Sequence, residues 1–204
     1  MNWPTQLPLI AILRGIRPEE ALVHTQALIE AGFDAIEIPL NSPDWRRSVR
    51  SAAEAFGASA LIGGGTALRE DEADALADVG GKLAVTPNTR PSLIAHAVRR
   101  GLWVAAGFAT ASEAFDALDA GAQALKLFPA TTYGPGHVKA LRAVLPPVPL
   151  FAVGGITPAN LADYLRAGCT GAGLGGDLYQ PGQDVARTTE QARRFVTAYR
   201  DATA

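Results

Sequence analysis

Repetition is the strongest constraint on this chain. Short apolar runs alternate with helix-like stretches eight times in 204 residues, about one unit every 25 residues, which is the rhythm of strand–helix folds. The runs are 9–13, 33–38, 60–63, 83–86, 102–106, 124–128, 148–153 and 170–174. They are nearly continuous rather than alternating, as expected of parallel strands covered on both faces. Between them the chain carries helix signals. Pro18 with Glu19 and Glu20 opens a first helix ending near Gly32, and Ser42 reads as the N-cap of a second ending near Gly57. A third covers about 70–79 and a fourth about 91–100. Thr110 and Glu113 have capping-box spacing for a fifth reaching Ala120. The last three are expected at 137–144, from Thr157 to Gly168, and at 185–199. Gly32, Gly57, Gly101, Gly121 and Gly168 stand where helices should stop. Eight near-equal units without a long insertion predict an α/β chain folded as one (β/α)8 TIM barrel over residues 1–204, in preference to a doubly wound open sheet.

The bulk properties narrow the function. Hydrophobic residues make up 48% and charged residues 19%, with a net charge of -2, so nothing electrostatic favours nucleic acid or an anionic membrane. A small anionic ligand held by local groups remains compatible. Cys169 is alone, so it cannot form an internal disulfide and is expected to be a buried apolar residue. The N-terminal Met1-Asn2-Trp3-Pro4 lacks a basic region followed by an apolar core, and no run reaches transmembrane length; the expected location is the cytoplasm, with no membrane partner.

In a barrel of this kind, functional groups lie at the C-terminal ends of the strands and in the loops that follow. Lys126 is one of three lysines and sits inside the apolar run Ala124-Leu125-Lys126-Leu127-Phe128. Alternation turns it away from Leu125 and Leu127. Burial there would lower its pKa and make it a nucleophilic amine; a lysine that snorkels to water or pairs with a carboxylate fits the same spacing. Glu37 lies between Ile36 and Ile38 and by the same logic faces the barrel interior. The pair reads either as a base and a nucleophile sharing a pocket or as a buried salt bridge. Arg14 ends the first strand with a fork suited to carboxylate or phosphate, or simply reaches into solvent. A Gly63-Gly64-Gly65 turn would present the Thr66 hydroxyl to the same pocket, and Thr86-Pro87-Asn88 forms a second lip. Gly154 and Gly155 follow the seventh strand, and Gly175, Gly176 and Asp177 follow the eighth, where backbone N–H groups of such barrels often converge on phosphate; tight turns alone are the bland account. Gly171, Gly173 and Gly176 match a dinucleotide fingerprint, but no further strand completes the βαβ unit it requires. His24, His96 and His137 fall on helices without a shared pocket, and no cluster has metal-ligand or Ser/His/Asp spacing.

The stretches around Glu37 (33–40, FDAIEIPL) and Lys126 (124–130, ALKLFPA) resemble the two active-site motifs of the KDPG/KHG aldolase family, and the likeness runs over essentially the whole chain. It implies a metal-independent, cofactor-free class I aldolase, typically a homotrimer. Lys126 would form a Schiff base with the C2 ketone of a phosphorylated keto-sugar acid. Glu37 would move protons. Arg14 and Thr66 would hold the keto-acid end, with Pro87 at the lip. The backbone of Gly154, Gly155, Gly175, Gly176 and Asp177 would hold the phosphate. Residues 7–16, 37–43 and 151–155 resemble the branch acting on 2-dehydro-3-deoxy-6-phosphogalactonate, releasing pyruvate and D-glyceraldehyde 3-phosphate in galactonate breakdown. Gluconate-type relatives tend to carry an arginine where this chain has Asn41 and a threonine where it has Val153, so both departures favour the galactonate epimer. The alternatives are a gluconate-epimer or dual-specificity aldolase, another phosphosugar barrel enzyme that needs no amine, and a barrel that only binds a phosphorylated metabolite.

Overall fold

The computed structural model describes residues 3–204; Met1 and Asn2, part of the stretch read for a leader, lie outside the described residues. Eight strands pair in parallel and in chain order: β1 (Leu9–Ile12), β2 (Ala35–Pro39), β3 (Leu61–Gly65), β4 (Leu83–Val85), β5 (Trp103–Phe108), β6 (Ala124–Leu127), β7 (Leu150–Val153) and β8 (Gly171–Leu174). β8 pairs with β1, so the sheet closes and an open doubly wound sheet is ruled out. The helices outside are α1 (Pro18–Glu30), α2 (Trp45–Phe56), α3 (Glu70–Asp78), α4 (Pro91–Arg99), α5 (Ala111–Asp119), α6 (Ala130–Arg142), α7 (Leu161–Arg166) and α8 (Val185–Thr203). None of them is long and apolar enough to cross a membrane.

Two apolar layers hold the barrel. Outward-facing residues such as Ile36, Ile38, Leu125 and Leu127 pack under the helices. Inward-facing residues such as Ile10, Ala35, Leu83, Ala124 and Phe151 fill the interior, and Trp3 closes its N-terminal end. The Trp3 ring meets Phe151 edge-on at 4.6 Å and Trp103 at 6.2 Å between centroids. Burying one aromatic of this kind contributes about 1.5–3 kcal/mol.

Several local expectations are corrected. Ser42 does not cap α2. Asp44, at φ 39°, precedes that helix, while the Ser42 hydroxyl accepts a hydrogen bond from the Gly15 N–H at 2.9 Å and so ties the β1 exit to the β2 exit. Gly57 ends α2 with φ -61°, an ordinary right-handed conformation, whereas Gly32, Gly101, Gly121 and Gly168 take the left-handed stop. Residues 63–65 are not a turn but the end of β3. α6 is two helical pieces: a short one opens at Ala130, the non-helical Gly134 (φ 75°) interrupts it, and the expected sixth helix is the second piece, which carries Pro135 at its start and reaches Arg142. α7 begins late, since Thr157 and Asn160 first cap each other: the Thr157 N–H donates to Asn160 Oδ1 at 2.9 Å and the Asn160 N–H to Thr157 Oγ1 at 3.3 Å. The Thr110–Glu113 capping box forms as read.

Candidate active site

The barrel is apolar at one end and hollow at the other. Along β3 the inward residues run Leu61, Gly63, Gly65; along β5 they run Trp103, Ala105, Gly107. Along these two strands side-chain volume shrinks toward the C-terminal ends, and a cavity of about 430 Å³ opens at that end of the barrel. Ile12, Lys126, Phe128, Val153 and Ile156 line it. Arg14, Thr66 and Pro87 stand on one side, Gly154, Gly155, Gly175, Gly176 and Asp177 on the other. Glu37 is not among the lining residues: its carboxyl is buried beside Gly65, within electrostatic reach of Lys126 and Arg14 in the wall. The structure thus gathers the other residues singled out from sequence into one cavity, with Glu37 enclosed next to it. Ile12, Phe128 and Ile156 were not foreseen. Thr86 and Asn88 are not wall residues: the Thr86 hydroxyl donates to the Asn88 carbonyl at 2.7 Å and accepts from the Gly107 N–H at 3.0 Å, fixing the lip on which Pro87 sits.

Glu37 and Lys126 both point inward, from β2 and β6, which lie diametrically opposite in the eight-strand ring. Glu37 is 2% exposed and Lys126 6%. Burial pushes the Glu37 carboxyl up to about 7 against the pull of Lys126 and Arg14. Burial likewise lowers the Lys126 ammonium; Glu37 raises it and Arg14 lowers it further. The two are electrostatic neighbours, yet no N···O contact within 4.0 Å joins them among the described residues, so they are not a contact salt bridge. The Lys126 Nζ stands 5.2 Å from the Phe128 ring centroid, and Glu37 Oε2 is buried without a hydrogen-bond partner. The other two lysines, Lys82 and Lys139, are exposed on the outer surface.

Arg14 is exposed but not free. Its Nη1 donates to Asn41 Oδ1 at 2.9 Å and its Nη2 to Thr66 Oγ1 at 3.3 Å, which aims the guanidinium across the cavity mouth. Thr66 holds φ 59°, a strained conformation for a β-branched residue and one that clusters at functional sites. On the opposite rim Gly154 and Gly155 have φ 99° and 72°. A Cβ at Gly175 or Gly176 would meet no protein atom within 4 Å, so the room beside them is open to a ligand. Among the described residues the N–H groups of Gly155 and Gly176 have no backbone acceptor, leaving donors for an anion. Gly171 and Gly173, the other members of the fingerprint match, have packing reasons: a Cβ would lie 1.6 Å from the Pro8 carbonyl oxygen and 2.8 Å from Val153 Cγ2. The three histidines stay apart: His24 meets the Thr188 hydroxyl, His96 meets Asp74 and Glu70, and His137 meets the Ala109 carbonyl. Cys169 is buried, its thiol pushed up to about 12 by desolvation.

The family model described as "Aldolase: KDPG and KHG aldolase" matches residues 2–190. The 2-dehydro-3-deoxy-6-phosphogalactonate aldolase of Escherichia coli (strain K12) is 59% identical over 203 residues, covering 99% of each chain. The KHG/KDPG aldolase of the same organism is 29% identical over 174 residues, 80% of each chain. The solved native KDPGal structure superposes with a TM-score of 0.99 at 58% identity, covering 100% of this chain and 99% of that one.

Proposed function

The chain belongs to the KDPG and KHG aldolase family, and within it we propose that the enzyme cleaves 2-dehydro-3-deoxy-6-phosphogalactonate to pyruvate and D-glyceraldehyde 3-phosphate through an imine on Lys126. The observation that carries the reading is the buried Lys126 amine on the strand opposite the buried Glu37 carboxyl, with no contact ion pair joining them among the described residues. Desolvation gives Lys126 a larger neutral fraction at working pH than a surface lysine has, and only the neutral amine attacks a ketone.

The amine adds to C2, and water leaves to give an iminium. Glu37 takes the C4 hydroxyl proton as the C3–C4 bond breaks. The bonding pair moves into the iminium, forming an enamine, and the aldehyde departs. Protonation at C3 by the Glu37 acid gives the pyruvyl imine, which water hydrolyses. A carboxyl near 7 serves both the accepting and the donating step at neutral pH. Arg14, steadied by Asn41 and Thr66, holds the keto-acid carboxylate; the glycine backbone of the β7 and β8 loops holds the phosphate. Val153 lines the cavity with methyl groups and offers no hydroxyl to the C4 substituent, which supports the galactonate epimer.

Borohydride reduction in the presence of pyruvate, followed by peptide mass mapping, tests the site. The expected result is a single reduced pyruvyl adduct on Lys126, absent in Lys126→Ala. An adduct on Lys82 or Lys139 alone defeats the assignment. A homotrimer in the cytoplasm belongs to the same reading, supported by the family likeness; sedimentation at three times the 21.3 kDa chain mass is the expected outcome, and a monomer overturns it.

A further inference from the structure

Three consecutive glycines end β3, and they differ in what a side chain would strike. At Gly64 a Cβ would meet Leu40 and Leu76 under the helices. At Gly63 it would lie 2.0 Å from the Leu83 backbone oxygen. At Gly65 the three nearest atoms all belong to one side chain: Glu37 Oε2 at 1.4 Å, Cδ at 2.4 Å and Oε1 at 3.0 Å. The Glu37 carboxyl occupies the volume that any other residue at 65 would fill. Its Oε2 is enclosed there without a hydrogen-bond partner.

We propose that Gly65 is a positioning residue for proton transfer: the space it leaves is the seat of the Glu37 carboxyl, and that seat keeps the carboxyl dry and apart from Lys126. The inference rests on Glu37 being the acid–base of the reaction. The charged groups facing Glu37 are Lys126 of β6 and Arg14 beyond β1; the neighbouring inward positions of the other strands are Val85, Ala105, Gly107, Val153 and Gly173, which carry no charge. A methyl group at 65 leaves the carboxyl one way to go, into the cavity. There it meets water and both cations, binds its proton more weakly, and pairs with the Lys126 ammonium. That pairing holds the proton on the amine and withdraws the nucleophile. No contact of Gly65 with substrate is required.

Gly65→Ala, Glu37→Ala and the double variant test this against wild type by two readouts. The first is the pH profile of kcat. In Gly65→Ala the limb set by the carboxyl moves acid by at least about one unit, and kcat at pH 7 falls at least about tenfold. The second is thermal stability. Gly65→Ala lowers Tm by about 2–8 °C, an overpacking loss, and the same change in the Glu37→Ala background lowers it by less than about 1 °C because the collision is gone. An unmoved pH limb, or an equal Tm loss in both backgrounds, overturns the inference. If Gly65→Ala alone does not fold, a folded double variant supports the seat and an unfolded one overturns it. Wild-type turnover in Glu37→Ala would instead defeat the acid–base reading itself, and the thermal cycle reports on the seat independently of that result.

Discussion

The two ends of the barrel interior are built from the same strands, two residues apart, and they obey opposite rules. At the N-terminal end Leu61, Trp103 and Phe151 interlock around Trp3, and the described inward-facing residues of this layer are apolar. One step up, the same tracks carry Gly63, Ala105 and Val153; Glu37 pairs in register with Gly63, and Lys126 shares the cavity wall with Val153. The lower end gains stability by filling volume with apolar atoms. The upper end forgoes that packing and buries two ionisable groups without a contact salt bridge between them. A stable floor thus tolerates an unstable ceiling, and the chemistry belongs to the ceiling.

Substitutions that separate the two ends sharpen the contrast. The largest effect is expected from Glu37→Gln, which keeps the shape and removes the titration: turnover falls about 10²–10⁴-fold, read as kcat at pH 7. The same variant removes a stability slope. In the folded state the carboxyl is raised from 4.5 to about 7, so between those pH values the native state holds a proton that the unfolded state has lost. Stability from this group is present below 4.5 and drains away as pH rises to 7, by roughly 3 kcal/mol at 1.36 kcal/mol per unit. Urea unfolding at pH 5 and pH 8 should show wild type losing ground to Glu37→Gln at the higher pH; parallel curves would mean the carboxyl is not held dry. Next comes the floor. Phe151→Ala should cost about 3–5 kcal/mol of stability while the pH limbs of kcat stay in place; a shifted limb would break the division between the ends. Smallest is Asn41→Ala at the rim. Arg14 loses one of its two anchors, and KM should rise about three- to tenfold with kcat nearly unchanged, as one hydrogen bond is worth about 1 kcal/mol. A fall in kcat with KM unchanged would remove Asn41 from the binding account.

Legibility followed the same division. The eight units were readable because apolar runs bounded by glycine and proline admit few other folds. Glu37 and Lys126 were readable because a charge inside an apolar run must face inward or be an anomaly. Ile12, Phe128 and Ile156 were not, since an apolar residue lining a cavity looks like any core residue until the cavity is seen. Gly63-Gly64-Gly65 read as a turn because glycine in sequence signals freedom; here it signals close approach, which depends on what lies across the strand. Ser42 read as a helix cap because a hydroxyl before a helix usually is one, and only the tertiary fold brings Gly15 within its reach.

The scarcity of lysine has a consequence beyond the reaction centre. Of eighteen basic side chains only three are amines, and two of those, Lys82 and Lys139, face solvent. The enzyme releases an aldehyde at each turnover, and aldehydes glycate whatever amine they meet. A coat of guanidinium groups carries positive charge while presenting few sites for that damage, so the outer surface is poorly equipped to perform the condensation for which Lys126 is kept.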